Sequence, residues 1–188
     1  MPPRFSENLH DDIEEVLFTA EQVQQKVKEM GAQIAEYYRG KPLTLVGILR
    51  GGTIFLSDLT RAIDIPHSYD LVGASSYGTA TASSGRVQIT KDVEVDLRGR
   101  HVLIIEDIYD SGRTLAAIRD LLRVHHPADI RIAAFLHKTV AKRAAELVID
   151  YRGFDIPDKF VVGYGLDYSE IYRNLPYVGV LRPRVYQA

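Results

Sequence analysis

Two near-continuous apolar segments constrain the fold of this chain more than any other feature. Residues 43–49 read LTLVGIL, and residues 101–105 read HVLII. Strands that are buried on both faces have this pattern, and each segment here is followed by apolar side chains at helical spacing. Strands that alternate with helices predict right-handed crossovers and parallel pairing. The predicted fold class is therefore α/β, with a central, mostly parallel sheet flanked by helices.

Further elements are predicted around these two strands. Thr19 and Gln22 form a capping-box pattern that begins a helix, and Gly40-Lys41-Pro42 ends it. Between these signals the apolar residues recur at helical spacing. The other predicted strands lie at 13–18, 67–75, 86–95 and 130–136, and the other predicted helices at 53–62 and 114–124.

The two ends of the chain lack this regular alternation. Residues 1–12 are typical of a loose polar arm, and 150–188 are rich in Tyr, Gly, Pro and Arg. The second pattern predicts an irregular hood of short strands rather than another strand–helix unit. A chain of 188 residues is expected to form a single domain, residues 1–188. We expect the N-terminal segment and roughly 150–188 to form its hood.

Composition excludes several classes of protein. The chain has no cysteine, which excludes disulfides, thiolate metal sites and a cysteine nucleophile, and it fits a reducing compartment. Its net charge of −2 gives no sign of a basic surface for nucleic acid. The N-terminus lacks the apolar core of a signal peptide, and no apolar run is long enough to span a membrane. We therefore expect a cytoplasmic protein without nucleic-acid or membrane partners.

The segment after the strand at 101–105 carries the most chemistry. Glu106 and Asp107 follow the strand, and residues 110–114 (DSGRT) lead into the next predicted helix. The amides at a helix N-terminus favour a phosphate, and Gly112 allows close backbone approach. Two carboxylates suit sugar hydroxyls, which need acceptors. The alternative is an ordinary helix that is capped by the side chain of Asp110 or Ser111.

This segment resembles the phosphoribosyl pyrophosphate (PRPP) loop of the type I phosphoribosyltransferases. That loop has four apolar residues, two acids, two variable residues, an acid, Ser or Thr, Gly, any residue and Thr, and every anchor position is filled here. Tyr109 is a mild departure, because the family more often has an aliphatic residue there. The resemblance implies the type I phosphoribosyltransferase fold, with a 5′-phosphate site at Asp110, Ser111, Gly112, Arg113 and Thr114 and a ribose site at Glu106 and Asp107.

Further segments resemble the 6-oxopurine branch of that family, in the same order over roughly residues 10–182. The run from Leu49 to Gly52 is similar to its pyrophosphate loop, in which the bond matching Leu49–Arg50 is cis. Residues 75–78 (SSYG) are similar to its mobile loop, and 158–168 to its purine-binding hood. The resemblance implies pyrophosphate contacts for Arg50, Gly51 and Arg173, mobile-loop contacts for Ser76 and Tyr77, and purine contacts for Lys138, Phe160, Val161 and Asp167.

The resemblance also implies a reaction. The phosphoribosyl group of PRPP passes to hypoxanthine or guanine, which gives IMP or GMP and pyrophosphate. Asp110 is implied as the general base, and Lys138 as the group that polarises the 6-oxo oxygen. The implied cofactor is Mg²⁺, held by Glu106, Asp107 and Asp167. The implied partners are these small-molecule substrates and further copies of the chain, in a homodimer or a homotetramer.

Other interpretations stay open at this point. Without the resemblance, Arg50-Gly51-Gly52 is a glycine turn, residues 78–85 a flexible hairpin, Lys138 a solvated charge and Phe160 a core aromatic. Regulators with the same fold bind RNA through a basic face, and their purine hood would be absent or altered. An enzyme for xanthine or a pyrimidine, or a nucleotide-binding domain without catalysis, is a further alternative.

Overall fold

The computed structural model describes residues 5–76, 87–139 and 144–187, and they form two sheets. The helices are a 3₁₀ helix at Leu9–Asp12, α1 (Ala20–Tyr38), α2 (Gly52–Ala62), α3 (Arg113–Arg123) and α4 (Pro183–Tyr186). The strands are β1 (Ile13–Phe18), β2 (Leu43–Leu49), β3 (His67–Ser76), β4 (Val87–Lys91), β5 (His101–Tyr109), β6 (Asp129–Lys138), β7 (Tyr151–Ile156), β8 (Val161–Val162) and β9 (Val178–Leu181).

The larger sheet has six strands in the order β4-β3-β2-β5-β6-β7. Its pairs are parallel from β3 to β7, and β4 alone pairs antiparallel with β3. The smaller sheet, β1-β9-β8, is antiparallel. The predicted fold class is confirmed, because a mostly parallel sheet lies between helices.

Helices cover both faces of the larger sheet. On one face, α1 and α2 bury Val27, Ile34 and Phe55 against strand residues such as Leu45 and Leu103. On the other face, α3 buries its apolar stripe against β3, β4 and β5. Each fully buried Leu, Ile or Val contributes roughly 1.5–3 kcal/mol. This double burial explains why the strand sequences are apolar without alternation.

The start of α1 agrees with the sequence prediction in detail. Thr19 is the N-cap, its hydroxyl accepts from the Gln22 amide, and the Gln22 side chain accepts from the Thr19 amide. The helix ends at Tyr38, just before Gly40. Among the described residues, no helix is long and apolar enough to cross a bilayer.

The prediction of a loose N-terminal arm is wrong for residues 5–12. Leu9–Asp12 is a 3₁₀ helix, and Asp12 is fully buried. Its carboxylate accepts hydrogen bonds from Ser6, Tyr172 and Arg184, so residues far along the chain order this segment.

The boundary of the hood also differs from the prediction. β7, at residues 151–156, pairs in parallel with β6 and so belongs to the larger sheet. The sequence analysis did not predict this strand, because it looked for strands that alternate with helices. Residues 144–150, which precede β7, form no helix. Gly153 allows the close approach of the two strands, since a Cβ there would lie 3.0 Å from the Phe135 carbonyl carbon. The smaller sheet, with the segments at both ends of the chain, makes up the hood.

Candidate functional site

The carboxyl ends of three neighbouring parallel strands bring most of the candidate residues to one edge of the larger sheet. Arg50 and Gly51 follow β2, Asp110 follows β5, and Lys138 ends β6. Ligands in open α/β sheets bind at this edge, where loops meet helix N-termini. The peptide bond between Leu49 and Arg50 is cis, as the resemblance implies.

The acidic pair lies inside β5 rather than after it. The strand was expected to end before Glu106, but pairing with β6 continues to Tyr109 opposite His137. Backbone hydrogen bonds do not depend on apolar side chains, so the strand extends beyond its last apolar residue in the run at 101–105. The Asp107 carboxylate accepts from the Ile108 amide at 2.8 Å, and its Cγ lies 2.6 Å from where a Cβ of Gly51 would be. Asp107 is therefore packed directly against the loop after β2.

The environment of the acidic pair disfavours negative charge. Burial and the neighbouring Asp107 carboxylate raise the pKa of Glu106 well above its ordinary value, and burial raises the pKa of Asp107 to about 6. Within the described part of the chain, Glu106 Oε2 is buried and has no hydrogen-bond partner. An unpartnered buried carboxylate oxygen fits a donor or a cation from outside the protein.

We expect Glu106→Gln to stabilise the protein when substrate and metal are absent. A carboxyl group whose pKa is raised by folding costs stability above that raised pKa and costs nothing below its ordinary pKa. Removing the charge should therefore raise the melting temperature at about pH 8 by at least about 3 °C, and the gain should disappear below the ordinary glutamate pKa of 4.5. Differential scanning calorimetry in chelator measures this difference.

Glu36→Gln is the matched control for that experiment. Glu36 is exposed on α1, so neutralising it should leave the melting temperature within about 1 °C of the wild-type value. A lower melting temperature for Glu106→Gln at about pH 8 would show that the folded protein stabilises the Glu106 charge.

The loop from β5 to α3 forms a small anion-sized cradle. Gly112 has a φ of +77°, which favours glycine, and it is the N-cap of α3. The N-cap is therefore neither Asp110 nor Ser111, as the alternative interpretation required. Residues 106 and 108–115 line a pocket of about 90 Å³ at this helix N-terminus, where amides and the helix dipole favour a phosphate.

Tyr109 helps to hold this cradle, a role that its sequence position did not reveal. The Tyr109 hydroxyl donates to the Ala145 carbonyl and accepts from the Leu147 amide, both at 3.0 Å. The Ala144 amide donates to the Ser111 carbonyl at 2.9 Å. The segment at 144–147 thus supports the loop from behind, and the hydroxyl explains the departure from an aliphatic residue.

Lys138 links the end of β6 to two carboxylates. Its Nζ lies 3.4 Å from Asp110 Oδ2 and 3.0 Å from Asp158 Oδ1. The Lys138 side chain is only 14% exposed, so it is not the solvated surface charge of the alternative interpretation. The sequence did not predict the contact with Asp158, because Asp158 follows a different strand, β7.

A second ionic cluster connects the hood to the loop after β2. Arg173 contacts Asp167 at 2.8 Å and donates to the Gly165 carbonyl at 2.7 Å. Glu170 lies between the two candidate pyrophosphate arginines, 2.7 Å from Arg50 and 3.6 Å from Arg173. The structure therefore brings Arg50 and Arg173 together, and it adds Glu170, to which the sequence analysis assigned no role.

Phe160 lies at the surface of the hood. Its ring is 39% exposed, so it is not an ordinary core aromatic. One face stacks on Tyr186 with the ring centroids 4.8 Å apart, and Tyr168 contacts it edge-on. Val161 is buried and pairs with Val180, which fixes the backbone next to Phe160.

The candidate mobile loop is described only at its start. Ser76 ends β3, where it pairs with Val87 of β4. Tyr77 and the rest of 77–86 lie outside the described residues.

The donor set fits Mg²⁺ without forming a complete site. Glu106, Asp107 and Asp167 offer hard carboxylate oxygens, which Mg²⁺ prefers together with water and phosphate oxygens. Within residues 5–76, 87–139 and 144–187, however, no three such groups converge as a ready-made metal site. Asp167 is instead paired with Arg173.

A larger cavity, of about 700 Å³, opens at the opposite end of the sheet between Tyr38, Pro66 and Arg100. None of the candidate residues lines it. Size alone would favour this cavity, but the acidic pair, the lysine and the anion cradle all lie at the other edge. Chemistry, rather than volume, identifies the candidate site.

Comparisons with known proteins show which proteins this chain is similar to. A family model described as "Phosphoribosyl transferase domain" matches residues 15–169. The chain is 47% identical over 192 residues to the hypoxanthine-guanine phosphoribosyltransferase of Mycobacterium avium, which covers 99% of this chain and 94% of that protein. It is 44% identical over 181 residues to the bifunctional protein TilS/HprT of Listeria monocytogenes serotype 4b, covering 96% of this chain and 28% of that protein. A crystal structure of a hypoxanthine phosphoribosyltransferase from Staphylococcus aureus matches with a TM-score of 0.90 at 48% identity, over 96% of this chain and 99% of that one.

Proposed function

The chain belongs to the phosphoribosyltransferase family, and from that premise we propose that it is a purine-salvage enzyme. It transfers the phosphoribosyl group of PRPP to hypoxanthine or guanine and releases IMP or GMP with pyrophosphate. The observation that carries the proposal is the pairing of Lys138 with Asp110 beside the cradle at 110–114. This pairing sets a base-recognising lysine and a proton acceptor next to a site for the sugar phosphate.

The purine side of the site is formed by the hood and by the end of β6. Phe160 offers a ring face for stacking, which contributes roughly 1–3 kcal/mol at other base-binding sites. The Val161 backbone reads the edge of the purine. Lys138 donates to the 6-oxo oxygen, and it rejects adenine because an amino group presents donors to a donor. Asp110 accepts the proton of the imidazole ring while the other ring nitrogen attacks the anomeric carbon.

The sugar and its leaving group lie on the other side. The amides of residues 110–114, with the Ser111 and Thr114 hydroxyls, hold the 5′-phosphate and so orient the sugar. Glu106 and Asp107 accept from the ribose hydroxyls. Arg50, the Gly51 backbone and Arg173 bind the pyrophosphate, whose charge grows as the bond breaks.

A cofactor and a moving loop complete the proposal. Mg²⁺, held through Glu106, Asp107 and Asp167, would neutralise charge on the leaving pyrophosphate. Ser76 and Tyr77 would contact the substrates when the loop that follows β3 closes and excludes water.

We propose further that residues 1–188 act as a single domain in a cytoplasmic homodimer or homotetramer. The absence of cysteine supports a reducing compartment. Size-exclusion chromatography with light scattering distinguishes the two assemblies.

A base panel tests the function. With PRPP and Mg²⁺, the purified protein should convert hypoxanthine and guanine to their monophosphates. Adenine, uracil and orotate should react at least about 100-fold more slowly, because Lys138 and the hood fit only a 6-oxopurine. Xanthine is included, since the same contacts accept its 6-oxo group. Activity with uracil alone, or with none of the bases, would refute the assignment.

A further inference from the structure

A buried carboxylate joins the start of the chain to the hood. Asp12 is fully buried, and it accepts from the Ser6 amide at 2.9 Å, the Ser6 hydroxyl at 2.6 Å and Arg184 at 2.8 Å. A further donor is the Tyr172 hydroxyl, at 2.7 Å. Burial acts to raise the pKa of Asp12, but the hydrogen bonds from Ser6 and Tyr172 outweigh it and hold that pKa below its ordinary value. Asp12 is therefore a fixed anion inside the hood.

Tyr172 is the residue immediately before Arg173 and is itself unusual. Its side chain is fully buried, and its φ of +77° lies in the left-handed region that residues other than glycine rarely adopt. Ser169 and Glu170, in the same loop, also have positive φ values, +50° and +68°. Such backbone conformations persist only when surrounding contacts determine them. The hydrogen bond to Asp12 and the packing of the ring are two such contacts.

The backbone at Tyr172 sets where the Arg173 guanidinium lies. The Gly165 amide donates to the Arg173 carbonyl at 3.1 Å, and the guanidinium donates back to the Gly165 carbonyl. A change of φ at Tyr172 would rotate Arg173 away from both contacts. Gly165 in turn lies against the Gly51 carbonyl, so the same movement would reach the loop after β2.

We propose that Asp12 and Tyr172 are positioning residues for pyrophosphate recognition. The Asp12 carboxylate, held by the N-terminal segment, fixes the Tyr172 hydroxyl, and Tyr172 in turn fixes the loop that presents Glu170 and Arg173. The inference rests on the proposed function, in which Arg173 binds pyrophosphate. It gives the N-terminal segment a part in substrate binding that acts through Tyr172.

Tyr172→Phe tests the inference with the least disturbance. The variant keeps the buried ring and removes one oxygen, while Ser6 and Arg184 still satisfy Asp12. We expect the affinity for Mg²⁺-pyrophosphate to fall about five- to tenfold, because a hydrogen bond to a charged group is lost from the chain of contacts that orients Arg173. The affinity for IMP, which has no pyrophosphate, should change less than about twofold. Isothermal titration calorimetry measures both affinities. In steady-state kinetics, the KM for PRPP should rise and the KM for hypoxanthine should change little.

Tyr177→Phe is the matched control. The Tyr177 hydroxyl is 2.7 Å from His10 Nδ1, so it also joins the 3₁₀ helix to the hood, but Tyr177 is not adjacent to Arg173. Its loss should leave both affinities unchanged. Asp12→Asn should act in the same direction as Tyr172→Phe, and melting temperatures show whether each variant is folded.

Four results would overturn the inference. One is unchanged pyrophosphate affinity in Tyr172→Phe. Another is an equal loss of IMP and pyrophosphate affinity, which would indicate a general loosening of the hood. The third is an equal loss of pyrophosphate affinity in Tyr177→Phe, which would show that any contact between the 3₁₀ helix and the hood has the same effect. The fourth is a wild-type protein that binds neither ligand, and this result alone would also refute the proposed function.

Discussion

Replacing Asp110 by asparagine is expected to lower the single-turnover rate of nucleotide formation by about 10²–10⁴-fold, the usual effect of removing a general base. Asparagine keeps the size and the hydrogen-bonding capacity of the side chain but not its basicity toward the purine proton. The affinity for PRPP should change little, because the backbone amides of residues 110–114 form the cradle and the N-cap of α3 is Gly112 rather than Asp110. In this variant the single-turnover rate should therefore fall while the affinity for PRPP stays close to the wild-type value.

Rapid-quench measurement of nucleotide formation, with a separate titration of PRPP, checks this expectation, because kcat can report product release instead. Asp158→Asn is the matched control, since it also removes a carboxylate from Lys138 and Asp158 is 61% exposed. Its rate should fall less than about tenfold, as is typical when an exposed ion pair is broken. A near-normal single-turnover rate in Asp110→Asn would exclude the base role. A large loss of PRPP affinity would make Asp110 a binding residue instead.

The sequence predicted the parts of the fold that depend on local patterns. The strands at 43–49 and 101–105 and the capping box at Thr19 follow from apolar spacing and hydrogen-bonding chemistry within a few residues. Strand ends were less predictable. β5 and β6 each continue past their apolar runs because their backbones pair with each other, and backbone pairing leaves no mark on the side-chain pattern.

The hood was the hardest region to predict, because its contacts join the two ends of the chain. β1 pairs with β9 from Ile13 opposite Leu181, and β8 has only two residues. In the sequence, Asp12 does not differ from the other acidic residues of its polar segment. Only the structure shows that Tyr172 and Arg184 donate hydrogen bonds to it. No local signal distinguishes a buried carboxylate from an exposed one when its partners are distant in sequence.

The candidate site also has a part that the sequence predicted and a part that it did not. Strand-end motifs predicted which residues meet at one edge of the sheet, since parallel strands bring their carboxyl ends together. They did not predict the contacts between loops, such as Lys138 with Asp158 or Glu170 with both arginines. These contacts depend on where the hood lies relative to the larger sheet, which no local sequence pattern predicts.

Adding a single methyl group at Gly51 is expected to cause a large loss of kcat/KM for PRPP. Its φ of −60° suits any residue, so alanine imposes no backbone strain. The obstacle is space, because a Cβ would lie 2.6 Å from Asp107 Cγ and still closer to the carboxylate oxygen. The backbone cannot retreat easily, since Gly165 is packed against the Gly51 carbonyl on the hood side. Either Asp107 or the loop after β2 must move.

We therefore expect Gly51→Ala to lower kcat/KM for PRPP about 100-fold or more, because displacements of about 1 Å in a substrate-positioning group have effects of this size. Steady-state kinetics with PRPP as the varied substrate measures the loss. Gly40→Ala is the control, since Gly40 has a φ of +77° and lies at the opposite end of the sheet with no atom within 4 Å of its added Cβ. It should lower the melting temperature through backbone strain and leave kcat/KM unchanged. If Gly51→Ala kept more than about a third of wild-type kcat/KM, the close packing of Gly51 on Asp107 would have no part in PRPP binding, because a methyl group cannot fit there without moving one of them.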